Sequence, residues 1–305
     1  MVYKKQNFDC LECDSVYKGC AFYLEYEIKD LENSFFDNCT FRSEQAIFID
    51  IYNCKFTNCN FNFVRLDGRV YDVEFNGGHI AKLDLSGAFS IESQFKDIAK
   101  LAKIDTLLLS NGTFGNRGLE HIGPLDSLQC LDLSFSSVDD QGLPHILPLV
   151  YLRKLNLAYT TITNLGLKIV AQMKNLYSLD LGKTRINDAG IKYLSSLENL
   201  VELDLQETNI SNFVWEQLHS FRNLRRLCLK KTRIDSLQSI TNFQYLQHLD
   251  LEETNVGDDE IPYLAELPNL KSINLNGTYI SHDCLRCLIA STLPDCKIKA
   301  FATEF

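Results

Sequence analysis

The chemistry-bearing side chains in this 305-residue chain are thin and scattered. The first candidates are thiols near the start: Cys10 and Cys13 form half of a zinc knuckle, which Cys20 or Cys39 would complete as tetrahedral sulfur ligation. No second CxxC follows at zinc-finger distance, and the competing reading is buried free thiols, since cysteine packs as a small hydrophobe. Cys284 and Cys287 repeat the spacing near the end, with Cys296 beyond, but redox chemistry there needs a βαβ setting the sequence lacks. The histidines are His79, His121, His145, His219, His248 and His282; His121 and His145 fall one period apart without a third ligand. No phosphate loop, GxSxG or HExxH occurs. The expectation is therefore no enzyme, no catalytic residue, no metal and no cofactor, with Cys10, Cys13 and Cys20 as the one open metal question.

The elements that would position side chains are repetitive. Residues 176–197 read LYSLDLGKTRINDAGIKYLSSL, alternating apolar and polar with period two and then spacing apolar residues as a short helix does. Such a unit cannot bury its apolar face alone and needs copies on both sides. Its first leucine recurs as Ile80, Ile104, Leu128, Leu152, Leu176, Leu200, Leu224, Leu246 and Leu270, each step 24 residues except the 22 from Leu224 to Leu246. The helix positions recur in step, for example Phe95/Ile98/Leu101, Leu119/Ile122/Leu125 and Leu143/Ile146/Leu149. After each strand the column Ala88, Gly112, Ser136, Thr160, Thr184, Thr208, Thr232, Thr254, Thr278 predicts a hydroxyl ladder that donates to backbone carbonyls. Trp215 takes a helix-core position, and Ile298 is expected in a short final strand.

This pattern resembles the leucine-rich repeat family, nearest to its 24-residue, GALA-like bacterial type. The resemblance implies an α/β fold: a right-handed, curved leucine-rich-repeat solenoid with parallel strands on the concave face and short helices on the convex face. A second period precedes it. Leu31, Phe36, Phe41, Ala46, Ile51, Phe56, Phe61, Leu66 and Tyr71 stand five apart, with Cys39, Cys54, Cys59 and Val64 two residues ahead of four of them; Glu44 breaks the run. FDNCTF and YNCKFTNCNF resemble the pentapeptide-repeat family, which implies a right-handed β-helical, pentapeptide-like cap with both residues pointing inward. Phe75, Ile80 and Leu85 continue the five-step after a one-residue slip, so the two parts are expected to share a core. Before it, Phe22, Leu24, Tyr26 and Ile28 alternate as a strand would. The domain reading is 1–79 as N-terminal cap and 80–305 as nine leucine-rich repeats plus a C-terminal cap.

Net charge is −10, which argues against a general phosphate-backbone binder. The first 79 residues hold 13 acidic and 8 basic side chains. Pentapeptide-like acidity raises DNA mimicry as a sharper reading of that cap, against the plain one of covering an exposed core end. No secretory signal or membrane span is visible. The expected compartment is the cytoplasm, or a host cell's cytoplasm for a delivered effector. What the repeats imply is a monomeric, non-enzymatic scaffold that binds a protein partner on the concave face, and neither nucleic acid nor membrane. Alternatives are a bacterial effector or ubiquitin-ligase substrate receptor, and an immunity or inhibitor protein that occludes an enzyme. Outward strand positions carry recognition in this reading. The expected contacts are Phe135, Tyr159, Tyr177, Asp180, Asp204 and Arg226, with Glu202–Arg226–His248, Gln206–Lys230–Glu252 and Glu207–Lys231–Glu253 side by side on neighbouring strands.

Overall fold

The computed structural model describes residues 2–4, 7–8, 11–24, 28–42, 47–87, 103–111, 114–291 and 296–300. Cys10, Glu44, Ala46, Ala88, Gly112 and the first-repeat helix positions Phe95, Ile98 and Leu101 lie outside the described residues, as does the side chain of Cys287. The chain forms two compact units, Met1–Arg153 and Lys154–Phe305.

The first unit contains β1 (Val2–Lys4), β2 (Asn7–Phe8), β3 (Val16–Lys18), β4 (Ala21–Phe22), β5 (Ile28–Glu32), β6 (Phe35–Asp37), β7 (Thr40–Phe41), β8 (Ile47–Phe61), β9 (Val64–Asp84), β10 (Lys103–Leu108) and β11 (Cys130–Asp132). The alternation from Phe22 to Ile28 is not one strand: β4 stops at Phe22 and β5 starts at Ile28, with 25–27 outside the described residues. Val16 pairs in parallel with Phe35, Phe35 with Lys55, and Lys55 with Glu74, so the chain returns over itself every 19 or 20 residues. That return requires corners, and the corners have a chemical signature. Asp14, Asn33, Asn53 and Asp72 form one column with positive φ, and Gly19, Asn38, Asn58 and Gly77 another five residues on. Asn, Asp and Gly are the residues that reach the left-handed region at least cost. The first corner column is also cross-linked, since Asn53 Nδ2 donates to Asn33 Oδ1 at 2.8 Å and Asn33 Nδ2 to Asp14 Oδ1 at 2.9 Å.

Inside the corners the five-residue residues are buried as expected: Leu31, Phe36, Phe41, Ile51, Phe56, Phe61, Leu66, Phe75, Ile80 and Leu85. Tyr17, Phe36, Phe56 and Phe75 stack with centroids 4.9, 4.7 and 4.9 Å apart, close to the spacing of parallel strands. Phe22, Phe41 and Phe61 form a second stack at 4.6 and 4.2 Å. Two residues ahead of these rings come small side chains that donate to backbone. Cys39 Sγ reaches Tyr17 O and Cys59 Sγ reaches Phe36 O, both at 3.6 Å, while Ser34 Oγ reaches Glu12 O at 3.2 Å. Cys20, Cys39, Cys54 and Cys59 are buried free thiols, and burial pushes Cys54 up to about 11. Ile80 pairs with Phe61 on one side and with Ile104 on the other, so the 19-residue and the 24-residue returns meet at this residue.

The second unit contains β12 (Lys154–Asn156), β13 (Ser178–Asp180), β14 (Glu202–Asp204), β15 (Arg226–Cys228), β16 (His248–Asp250), β17 (Ser272–Asn274) and β18 (Lys297–Lys299). All pair in parallel in sequence order, and β18 is the final strand anticipated at Ile298. Short helical turns return the chain, including Asn164–Val170, Val214–Leu218 and Ile261–Ala265, with a 3-10 turn Gln238–Asn242 in the 22-residue repeat. The repeat leucines on both sides of the turn are buried, and so is Trp215, whose Nε1 donates to Ser236 O at 2.9 Å.

The hydroxyl column does what its position requires. Oγ1 of Thr160, Thr184, Thr208, Thr232, Thr254 and Thr278 each donates to the carbonyl three residues earlier, at 2.5–2.7 Å. All six are buried. Thr184→Val keeps the shape and removes the donor, and should cost about 1 kcal/mol in urea denaturation, whereas Thr184→Ser should cost less than half of that. Equal losses for the two would show that the methyl, not the hydroxyl, matters.

Candidate functional site

The outward face of the second unit is set by the way each strand ends. Through the end of β13 and the turn after it the sequence is Leu179-Asp180-Leu181-Gly182-Lys183-Thr184, and the leucines point inward. Asp180 Oδ1 accepts the Gly182 N–H at 2.9 Å, and Thr184 donates back to Leu181 O. Between these clamps Lys183 takes φ +52, and the same column holds Tyr159, Glu207, Lys231, Glu253 and Gly277, all with positive φ. A non-glycine residue there costs about 1–2 kcal/mol, so the two clamps hold a conformation the residue would not choose. The acceptor column repeats as Asn156, Asp204, Asp250 and Asn274, each taking the N–H two residues on at 2.8–3.3 Å. Asp180 and Asp204, expected as contacts, thus spend one oxygen on the turn.

The residues beside these clamps form a groove of about 670 Å³ across β13 to β18. Asp180, Asp204 and Arg226 line it, together with Glu202, His248 and Asp250 among others. Tyr159 and Tyr177 stand outside that lining. Tyr159 belongs to the turn after β12, where Lys183 Nζ lies 5.1 Å from its ring centre and its hydroxyl is 3.5 Å from Glu207 Oε1. Tyr177 is exposed just ahead of β13. Phe135 belongs to the first unit, where it too is exposed and takes φ +55. Sequence columns therefore bring three of the six expected contacts into one groove.

Electrostatics follow the cross-strand pattern. Arg226 Nε stands 3.3 Å from Glu202 Oε1, Lys230 Nζ 2.8 Å from Glu252 Oε1, Lys231 Nζ 3.3 Å from Glu253 Oε1 and Lys183 Nζ 3.0 Å from Glu207 Oε2. Lys183 and Lys230 hold their carboxylate partners Glu207 and Glu252 below the usual range. Burial pushes Asp204 up, and burial with Arg226 and Lys271 near by pushes His248 down, which favours its uncharged form. His248 Nδ1 is 2.7 Å from Ser272 Oγ. Among the described residues no cluster of three or more His, Cys, Asp or Glu side chains has metal-binding geometry, and no helix is long and apolar enough to cross a membrane.

Lys297 and Lys299 also line the groove, and sequence columns did not single them out. The signal was in the sequence: an inward Ile298 places both flanking lysines outward by strand alternation. Reading LPDCKIKAF only as a cap hid them.

Parallel strands each followed by a short helical return, with leucines buried in register, define a leucine-rich-repeat architecture. Residues 174–234 match the Leucine rich repeat family model. Solved structures agree at the level of fold. An internalin of Listeria monocytogenes aligns with TM-score 0.60 at 18% identity, covering 90% of this chain and 81% of that one. A leucine-rich-repeat protein of Leptospira interrogans aligns with TM-score 0.56 at 17% identity over 95% of this chain and 90% of that one. Internalin C2 of Listeria monocytogenes gives 0.52 at 24% identity over 69% and 84%. No curated protein matches the chain. The matches support a leucine-rich repeat family and fit a repeat solenoid.

Proposed function

We propose that the chain is a non-enzymatic binding protein that holds a protein partner on the outward strand face of residues 154–299. The observation that carries this reading is the groove across β13 to β18, lined by polar and apolar side chains together and flanked by the Glu202–Arg226 and Lys230–Glu252 pairs, built on strands that the Asp and Thr clamps hold fixed. Leucine-rich-repeat domains generally serve protein–protein interaction, and a rigid, solvent-facing sheet of parallel strands suits that role. Tyr159, Tyr177, Asp180, Asp204 and Arg226 are the contacts of the second unit in this proposal, and Phe135 is one of the first.

The finer family readings belong to the same proposal. The corner columns of Asn, Asp and Gly and the 19–20-residue return support a pentapeptide-type coil for the N-terminal part, a cap for residues 80–305. The 24-residue register supports the GALA-like bacterial form. A monomer in the cytoplasm is the state proposed.

The test is capture of a partner by the purified full chain and by a variant carrying Tyr159→Ala, Asp180→Asn and Arg226→Ala. Asparagine keeps the Oδ1 that the Gly182 N–H needs and removes only the charge. The variant should fold with unchanged circular dichroism and lose at least 90% of the captured partner. Undiminished capture by a folded variant would place the partner elsewhere.

A further inference from the structure

The charges in the groove are sorted by end, and that ordering says something about the partner. At β13 and β14 stand three carboxylates, Asp180, Glu202 and Asp204. At the other end β18 presents Lys297 and Lys299, both exposed and with no ion pair among the described residues. Their neighbours on β17 that line the groove, Ser272 and Asn274, are uncharged. Between the ends lie Arg226, already paired with Glu202, Asp250, whose Oδ2 accepts from Asn274 Nδ2 at 3.1 Å, and His248, whose Nδ1 is 2.7 Å from Ser272 Oγ. Lining positions thus run from acidic at β13 and β14, through the paired Arg226 and the hydrogen-bonded Asp250 carboxylate, to basic at β18.

We propose that this groove takes an extended segment of a protein partner with a fixed polarity: cationic side chains over Asp180 and Asp204, beside the Glu202–Arg226 pair, and carboxylates over Lys297 and Lys299. The proposal rests on the reading of this face as the partner site. Five strand steps of about 4.8 Å separate the ends by roughly 24 Å. An extended chain covers that in about seven residues. A groove of about 670 Å³ is of the size that holds the side chains of such a segment. Complementary charge at both ends fixes direction as well as strength, because the reversed segment meets like charge at each end.

The probe is a fluorescein-labelled synthetic decapeptide with two arginines at one end, two glutamates at the other and six serine and alanine residues between. Its isomer has the same composition with the charges alternating along the chain. Fluorescence anisotropy with the full-length protein at about 50 mM salt should show the polar peptide binding at least tenfold tighter than the isomer. A Lys297→Glu, Lys299→Glu protein, shown folded by circular dichroism, should lose that preference. Equal affinity for the two isomers, no binding of either, or a preference that survives the double substitution would each overturn the proposal. A helical partner would instead favour a peptide with its charges about sixteen residues apart, which also overturns the extended segment. Capture that depends on Tyr159, Asp180 and Arg226 while the peptides show no preference would leave the face as the site and remove only the polarity.

Discussion

Gly78→Ala is expected to be the most damaging single substitution in the chain. Gly78 sits at the small-residue position two ahead of Ile80, in the column that earlier holds Cys20, Cys39 and Cys59. Here the backbone has φ +89, and a Cβ would stand 2.0 Å from Cys59 O and 2.7 Å from Cys59 N. Those atoms belong to the strand that Gly78 pairs with, so they cannot yield without breaking the β8–β9 register. The loss should be at least about 3 kcal/mol in urea denaturation, as overpacking adds to a conformation closed to side chains. Gly77→Ala is the control. Its φ is +68, but the nearest atom is Asn58 Oδ1 at 2.5 Å, the end of a side chain that can turn aside. Its cost should be about 1–2 kcal/mol. If Gly78→Ala proves no worse than Gly77→Ala, the close approach of β8 and β9 is wrong.

Phe56→Ala follows closely. Phe56 is buried between Phe36 and Phe75 at 4.7 and 4.9 Å and meets Phe41, Phe48 and Phe61 edge-on. Removing the ring takes away transfer energy and both stacking neighbours at once and should cost about 3–5 kcal/mol. Phe56→Leu refills most of the space and should recover more than half of that. Differential scanning calorimetry separates the two, and equal melting temperatures for Phe56→Ala and wild type would remove the stacked core from the account.

Both substitutions fall in the part that sequence reading caught only by its apolar half. The five-residue spacing of Phe36, Phe41, Phe56 and Phe61 was legible because each such residue is buried and burial demands a fixed residue class. The corners were not read, although Asn33, Asn53, Asn38 and Asn58 are as regularly spaced as the rings. A pattern of polar residues is easily taken for surface, and only the positive φ shows that asparagine is there for its backbone. The single strand read across Phe22 to Ile28 has a related cause: alternation with period two satisfies a strand template although β4 stops at Phe22.

In the repeats the situation is reversed. The leucine register and the threonine donors were legible because each repeat states the requirement again. The aspartate column was harder, since Asp180 and Asp204 point outward and look like contacts, while the hydrogen bonds to Gly182 and Gln206 are invisible in sequence. Side chains that hold the frame and side chains proposed to read a partner share one column, and only geometry divides the two oxygens of one carboxylate.

The most direct measurement is photo-crosslinking of the captured partner from single positions. A photoreactive residue at Ser178 or Lys297, both lining the groove, should crosslink the partner. One at Leu165 or Phe213, both exposed beside the helical returns, should not. Crosslinking from Leu165 or Phe213 with none from Ser178 and Lys297 would contradict the strand face as the binding surface.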